Sequence, residues 1–189
     1  MLGTRRLLTA GCLGLLLLSA TAPGRVHAAP AAPVQGMVTA VPSGDTVTLT
    51  LADQRQVSVR LRDIDAPESC QPWGEDSRAA LSTLALNKVA TLQASARDGQ
   101  GRTVGNLMLD DLNVSRFLVE NGHAWSVRTR WDQGPLVKQE KMARALTRGL
   151  HATPGALQPK EFRRVHGRCP DLPAAAPSAA STATPAKKK

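Results

Sequence analysis

The chain has 189 residues and a formal charge of +9, with two Phe, three Trp and no Tyr. That length suits one folded domain with extensions rather than two full domains. The charge favours an anionic partner through electrostatic steering and counterion release, but it falls short of a histone-like excess and names no partner.

Arg5 and Arg6 form a basic start, Leu7 to Leu18 is mostly apolar, and Val26-His27-Ala28 fits a small-residue cleavage site. Together they predict a cleavable export signal over 1–28. The apolar run is too short for a comfortable membrane span, and a retained anchor is the alternative. Cys12 precedes most of the apolar run, the reverse of the order in a lipoprotein signal. Removing 1–28 takes away Arg5, Arg6 and Arg25 and no acid, so the side-chain charge falls from +9 to +6. It also leaves two cysteines, Cys70 and Cys169. An even count in an exported chain predicts a disulfide, with two unrelated thiols as the alternative. Closing a loop of about 100 residues contributes at most about 4–5 kcal/mol in the chain-entropy picture. The bridge would tie the C-terminal segment to the loop that carries Glu68.

Next come three predicted strands, Met37 to Val41, Val47 to Leu51 and Gln56 to Leu61, rich in β-branched and apolar residues. Ser43-Gly44-Asp45 and Ala52-Asp53-Gln54 supply turn chemistry between them. In the third strand Val57, Val59 and Leu61 share one face, and Ser58, Arg60 and Arg62 the other. Arg60 is therefore aimed away from the apolar row. A helix follows from about Gly74 to Asn87, with Leu81, Leu84 and Ala85 as its apolar stripe and Glu75 and Asp76 at its N-terminus.

Val89 to Ala94 and Val104 to Leu109 resume as strands. Asn113 caps a second helix that buries Val114, Phe117 and Leu118 and stops at Gly122. A third helix runs from Pro135 to near Gly149, with Leu136, Ala143 and Leu150 at heptad spacing. Five short strands with interleaved helices predict an α+β fold built on a small barrel of the oligonucleotide-binding type. The segment from Pro170 to Lys189, rich in Ala, Pro, Ser and Thr, is expected to be a disordered tail.

The charged residues along this frame suggest a chemistry. Phosphodiester hydrolysis needs an oriented, deprotonated water, neutralised charge on the phosphorus oxygens, and room for the leaving oxygen. Asp45 and Asp65 offer carboxylates to a hard cation such as Ca²⁺. Arg60 and Arg102 offer planar donors suited to phosphate oxygens. Glu68 is then a free carboxylate able to polarise the water. Each has a plainer reading: Asp45 as a turn residue, Arg60 with Asp65 as a surface ion pair, Arg102 as a solvated loop residue. The combination is what points to a site.

Several stretches carry a resemblance: Ser-Gly-Asp-Thr at 43–46, Val-Arg-Leu-Arg-Asp-Ile-Asp-Ala-Pro-Glu at 59–68 and Gln-Pro-Trp-Gly-Glu-Asp at 71–76. Asp-Gly-Gln-Gly-Arg at 98–102, Leu-Val-Glu-Asn-Gly-His-Ala at 118–124 and Arg-Gly-Leu at 148–150 extend it. Over residues 35–150 the chain resembles the staphylococcal nuclease-like (thermonuclease) domains. The resemblance implies a five-stranded oligonucleotide-binding barrel with three helices that cleaves DNA and RNA with Ca²⁺. Asp45 and Asp65 match the metal carboxylates, and Ala66 the backbone carbonyl ligand. Arg60 and Arg102 match the phosphate-binding arginines, and Glu68 matches the carboxylate assigned as general base. The implied organisation is an export signal at 1–28, a short linker at 29–34, a nuclease-like domain with C-terminal extension at 35–169, and a tail at 170–189.

The chain also departs from the pattern. Ser43 stands where the family often has Asp, which removes an outer carboxylate. Gln100 replaces an aromatic residue that contacts the nucleotide. Arg128 and Arg130 fall near the tyrosines that hold the nucleotide in the best-known member, and arginine there offers stacking or phosphate pairing, with a solvated side chain as the equal alternative. Other chemistries lack support: there is no Cys-x-x-Cys, P-loop or Gly-x-Ser-x-Gly, and the histidines show no metalloprotease spacing. His123 reads as a structural or surface residue, and Trp73, Trp125 and Trp131 as core or rim packing, with a base-stacking platform as the alternative. The expectation is a periplasmic or secreted monomeric nuclease acting on DNA and/or RNA, with no stable protein partner and no membrane span once the signal is removed. The alternatives are a catalytically inactive nucleic-acid-binding module of the same fold and a structural envelope protein.

Overall fold

The computed structural model describes residues 32–129, 131, 134–167 and 169. The predicted export signal, Arg130 and the tail at 170–189 lie outside the described residues. β1 (Val34–Ser43), β2 (Thr46–Leu51) and β3 (Gln56–Leu61) form an antiparallel meander. β5 (Val89–Arg97) pairs antiparallel with β1 and with β6 (Thr103–Leu109), and β4 (Ile64–Asp65) lies before it in sequence. β6 then runs parallel to β3, with Arg60 opposite Val104. This pairing closes the order β3-β2-β1-β5-β6 into a five-stranded barrel, which removes the exposed edges of an open sheet.

Alternation along the strands fills the barrel. Val59 and Leu61 of β3 are buried, with Arg60 half-buried between them on the other face. Val38, Val47, Leu49 and Leu107 join them in one core. Each such side chain contributes about 1.5–3 kcal/mol relative to its exposed state. α1 (Gly74–Ala85) adds Leu81 and Ala85 to this core. β7 (Leu112–Asn113) extends the sheet from β6 and leads into α2 (Val114–Glu120). The Asn113 side chain accepts from the Arg116 amide at 2.9 Å, the predicted N-cap, and α2 buries Val114 and Leu118. β8 (Trp125–Ser126) pairs with β4, which sets Asp65 opposite Trp125.

The C-terminal part departs from the predicted layout. In place of one helix from Pro135 to Gly149, α3 covers Val137–Ala145 and a 3₁₀ turn covers Gly149–Ala152. Thr147 and Gly149 take φ of +47° and +53°, left-handed values that end an α-helix. Leu136, Ala143 and Leu150 still face inward as their spacing predicts, the last two fully buried. A Cβ on Gly149 would come within 2.2 Å of the Gly122 carbonyl oxygen. That close approach explains why Gly122 ends α2 and Gly149 ends the α3 connection at the same place.

Three helices are implied by the resemblance, and four α-helices stand among the described residues. α4 (Pro159–His166) carries Pro159 in its first turn with Glu161, and Arg163, Arg164 and His166 in its last, a charge order matched to the helix dipole. Phe162 is buried, Gln71 Nε2 donates to the Leu157 carbonyl at 2.7 Å, and Cys70 is disulfide-bonded to Cys169. The predicted bridge is therefore present and holds α4 against the loop after β4. No helix among the described residues is long and apolar enough to cross a membrane.

Candidate active site

The connection from β1 to β2 supplies the first carboxylate. Asp45 is buried, and its Oδ1 accepts from Ser43 Oγ at 3.0 Å and Thr46 Oγ1 at 2.9 Å. Its Oδ2 accepts from the Ala66 amide at 3.3 Å. A Cβ at Gly44 would lie 2.6 Å from Ser77 Cβ and 2.9 Å from Ala66 Cβ, so the missing side chain is what lets the turn reach Ala66. Ser43, the departure from Asp, holds the Asp45 carboxylate with a neutral hydroxyl and adds no charge.

Arg60 joins the two acids. Its Nη2 lies 3.0 Å from Asp45 Oδ2 and 2.7 Å from Asp65 Oδ1. The pairing is half-buried and faces both predicted metal carboxylates, so a simple surface ion pair does not describe it. Burial pushes the Asp65 carboxyl upward, and the charge of Asp45 adds to this, with Arg60 and Arg163 pulling the other way. Burial opposes the charge on Arg60, but Asp45 and Asp65 outweigh it and raise the guanidinium pKa.

Arg102 arrives from the loop between β5 and β6. Asp98 Oδ1 accepts from the amides of Gln100 and Arg102, both at 2.9 Å, and closes a tight turn. Asp98 Oδ2 then accepts from Arg102 Nε at 2.7 Å, and Arg102 Nη1 donates to Thr46 Oγ1 at 3.3 Å. Arg102 is thus positioned, not merely solvated.

Glu68 is where the structure corrects the sequence reading. It is not free, because its Oε1 accepts from Arg163 Nη1 of α4. Arg163 Nη2 also lies 3.6 Å from Asp65 Oδ2. Arg163 is the site residue that sequence reasoning missed. Its signals were the Pro-to-basic helical pattern at 159–166 and the predicted bridge, which brings Cys169 to within two residues of Glu68. Gln71 fixes the same loop, its Oε1 accepting from the Glu68 amide at 3.1 Å.

The remaining expectations divide. Arg128 donates to the fully buried carboxylate of Glu140 and lies outside the lining of the cavity described next. Arg130 lies outside the described residues. Trp125 is buried and Trp73 stacks near His123, with ring centroids 6.4 Å apart, while Trp131 is 86% exposed. Burial lowers the His123 pKa against the pull of Asp76.

Asp45, Arg60, Ala66, Glu68, Arg102 and Arg163 line one cavity of about 750 Å³, and Gln100 lines it with them. Asp65 backs it through its bond to Arg60. Among the described residues no cluster of three or more His, Cys, Asp or Glu forms a metal-binding group. The acids that stand together here are Asp45 and Asp65, both engaged by Arg60, and they offer oxygen donors alone. Such a set suits a hard cation that keeps water and substrate oxygens in its shell, and it does not suit a softer metal.

A closed five-stranded barrel with helices on its outside and this acid–arginine cavity defines a nuclease-type α+β domain. Residues 58–153, just over half the chain, match the staphylococcal nuclease homologue family, and the chain belongs to it. Protein ParB of Escherichia coli is 34% identical over 151 residues, covering 74% of this chain and 85% of that one. Micrococcal nuclease of Shigella flexneri is 30% identical over 141 residues, 69% of this chain and 80% of that one. Probable staphylococcal-like nuclease CAN2 of Oryza sativa subsp. japonica is 36% identical over 110 residues, and the chain spans 30% of its length. The family match begins inside β3 and ends before α4, so Asp45 and Arg163 both lie outside it.

Proposed function

We propose that this protein is a Ca²⁺-dependent nuclease that hydrolyses phosphodiester bonds of DNA and/or RNA. The observation that carries the reading is the convergence of Asp45, Arg60, Glu68 and Arg102, from four separate segments, on one polar cavity backed by Asp65. Homology to micrococcal nuclease supports the reaction class.

Asp45, Asp65 and the Ala66 carbonyl are the residues that would hold Ca²⁺. Bound there, the ion supplies Lewis-acid polarisation of a phosphoryl oxygen and offsets charge developing on it. Arg60 and Arg102 donate N–H bonds to the phosphate oxygens and gain strength as negative charge grows there. Glu68 takes the proton of the attacking water, a role for the carboxylate oxygen that Arg163 does not engage. Export to the periplasm or the medium, where Ca²⁺ is plentiful, suits millimolar oxygen-ligand sites, and a monomer suffices for the chemistry.

The test is cleavage of single- and double-stranded DNA, and of RNA, by purified protein with millimolar Ca²⁺ or with chelator. Cleavage is expected to require Ca²⁺ and to fall about 10²- to 10⁴-fold in kcat for Glu68→Gln. Binding without cleavage in every divalent metal would replace the enzyme with a binding module of the same fold.

A further inference from the structure

We propose that Arg163 is a third phosphate-binding guanidinium of this site, presented by α4 and directed at the backbone of the polynucleotide substrate; this rests on the nuclease reading. Its side chain is 32% exposed, against 25% for Arg60 and 24% for Arg102. It lines the same cavity as both. Like Arg60, it rests on acids of the site, here Glu68 and, at 3.6 Å, Asp65. A guanidinium carries five N–H donors. Glu68 engages Nη1, and a separation of 3.6 Å is too long for a good hydrogen bond to Asp65, so donors remain for an incoming phosphate.

Charge balance points the same way. The acids lining the cavity are Asp45, Glu68 and Asp98, and the cations are Arg60, Arg102 and Arg163. Without Arg163 the acids outnumber the cations, and a polyanion meets a net negative wall. Asp65 behind the wall adds a fourth acid, so Arg163 takes the balance from four acids against two cations to four against three.

Placement is fixed from both ends of α4. Gln71 holds the Glu68 amide with one side-chain atom and the Leu157 carbonyl before α4 with another. The Cys70–Cys169 bridge holds the chain after it, and Phe162 beside Arg163 is buried. A guanidinium on so constrained an arm loses little freedom on binding. Arg164, the next residue, points elsewhere: it pairs with Glu161 and is 71% exposed.

The experiment measures binding of a labelled single-stranded oligonucleotide by anisotropy in chelator, across a salt series, for the unsubstituted full chain, Arg163→Gln, Arg163→Lys and Arg164→Gln. Arg163→Gln is expected to reduce the slope of log K against log salt by about 0.7, the value of one phosphate contact on a single strand. Arg163→Lys should keep the slope, Arg164→Gln should leave it unchanged, and in Ca²⁺-supported cleavage Arg163→Gln should raise KM. An unchanged slope in Arg163→Gln, or an equal fall in Arg164→Gln, overturns the proposal. If Arg163→Gln does not fold, Arg163→Met, which keeps the aliphatic stem, gives the same reading. The two claims fail separately: a slope change without Ca²⁺-dependent cleavage refutes the nuclease and keeps the phosphate contact.

Discussion

Arg60 Nη2 lies 2.7 Å from Asp65 Oδ1, and the same nitrogen lies 3.0 Å from Asp45 Oδ2. One cation thus stands between two carboxylates that raise each other's energy, and a divalent ion has a reason to bind beside them. Ca²⁺ at about 100 times its Kd should add about 2.7 kcal/mol of stability, read as a rise in Tm. Asp65→Asn should lose most of that rise. An equal rise in the variant would show that Ca²⁺ binds elsewhere.

Glu140 sits fully buried on α3 and organises the strand opposite Asp65. Its Oε2 accepts from the Ser126 amide at 3.0 Å, and its Oε1 from Arg128 and from Arg144, the latter at 2.9 Å. Glu140→Ala removes all three partnerships. Because Arg128 and Arg144 are partly exposed and can rehydrate, the expected loss is about 2–4 kcal/mol, not the full cost of breaking a buried pair. Urea unfolding measures it. Since Ser126 belongs to the strand paired with Asp65, the Ca²⁺-dependent rise in Tm should shrink as well. A loss confined to stability would separate the two.

The disulfide closes a separation of 99 residues. Reduction should lower unfolding stability by about 2–4 kcal/mol, and Cys70→Ser with Cys169→Ser should reproduce the loss without reductant. Equal urea midpoints with and without reductant would mean that the bridge adds nothing measurable.

Stability should also fall on mild acidification. Burial lowers the pKa of His123 and, reinforced by Arg144 and Arg128 against Glu140, that of His151 from the usual 6.5. Above that value both rings are neutral folded and unfolded. Below it the unfolded chain takes up protons first, so stability declines as pH drops from about 6.5 toward the folded-state values. Each ring also keeps a buried nitrogen, His123 Nδ1 and His151 Nε2, without a hydrogen-bond partner among the described residues, so protonation there gains no acceptor. Thermal melts from pH 7.5 to 5 should show the decline, and His123→Gln should flatten it. A slope identical to that of the unsubstituted protein would assign the acid sensitivity to other groups.

The sequence by itself determined the barrel strands, because alternating Val and Leu in β2 and β3 is a period-two signal that needs no distant partner. It determined the Asn113 cap and the Gly122 stop for the same local reason. The acids and arginines of the site were legible as residue types at a characteristic spacing, and the bridge was legible from an even cysteine count in an exported chain. Only tertiary structure decided that Arg60 spans both Asp45 and Asp65, since this depends on the β2–β3 register that sets Thr46 opposite Arg60 and on the tight connection from β3 into β4. It also decided that α3 breaks before Gly149, where the backbone must pass against Gly122. Above all, it decided that Glu68 is met by a guanidinium 95 residues away. Local periodicity reports which face of an element is apolar, but not which face of a late helix meets a loop laid down much earlier in the chain.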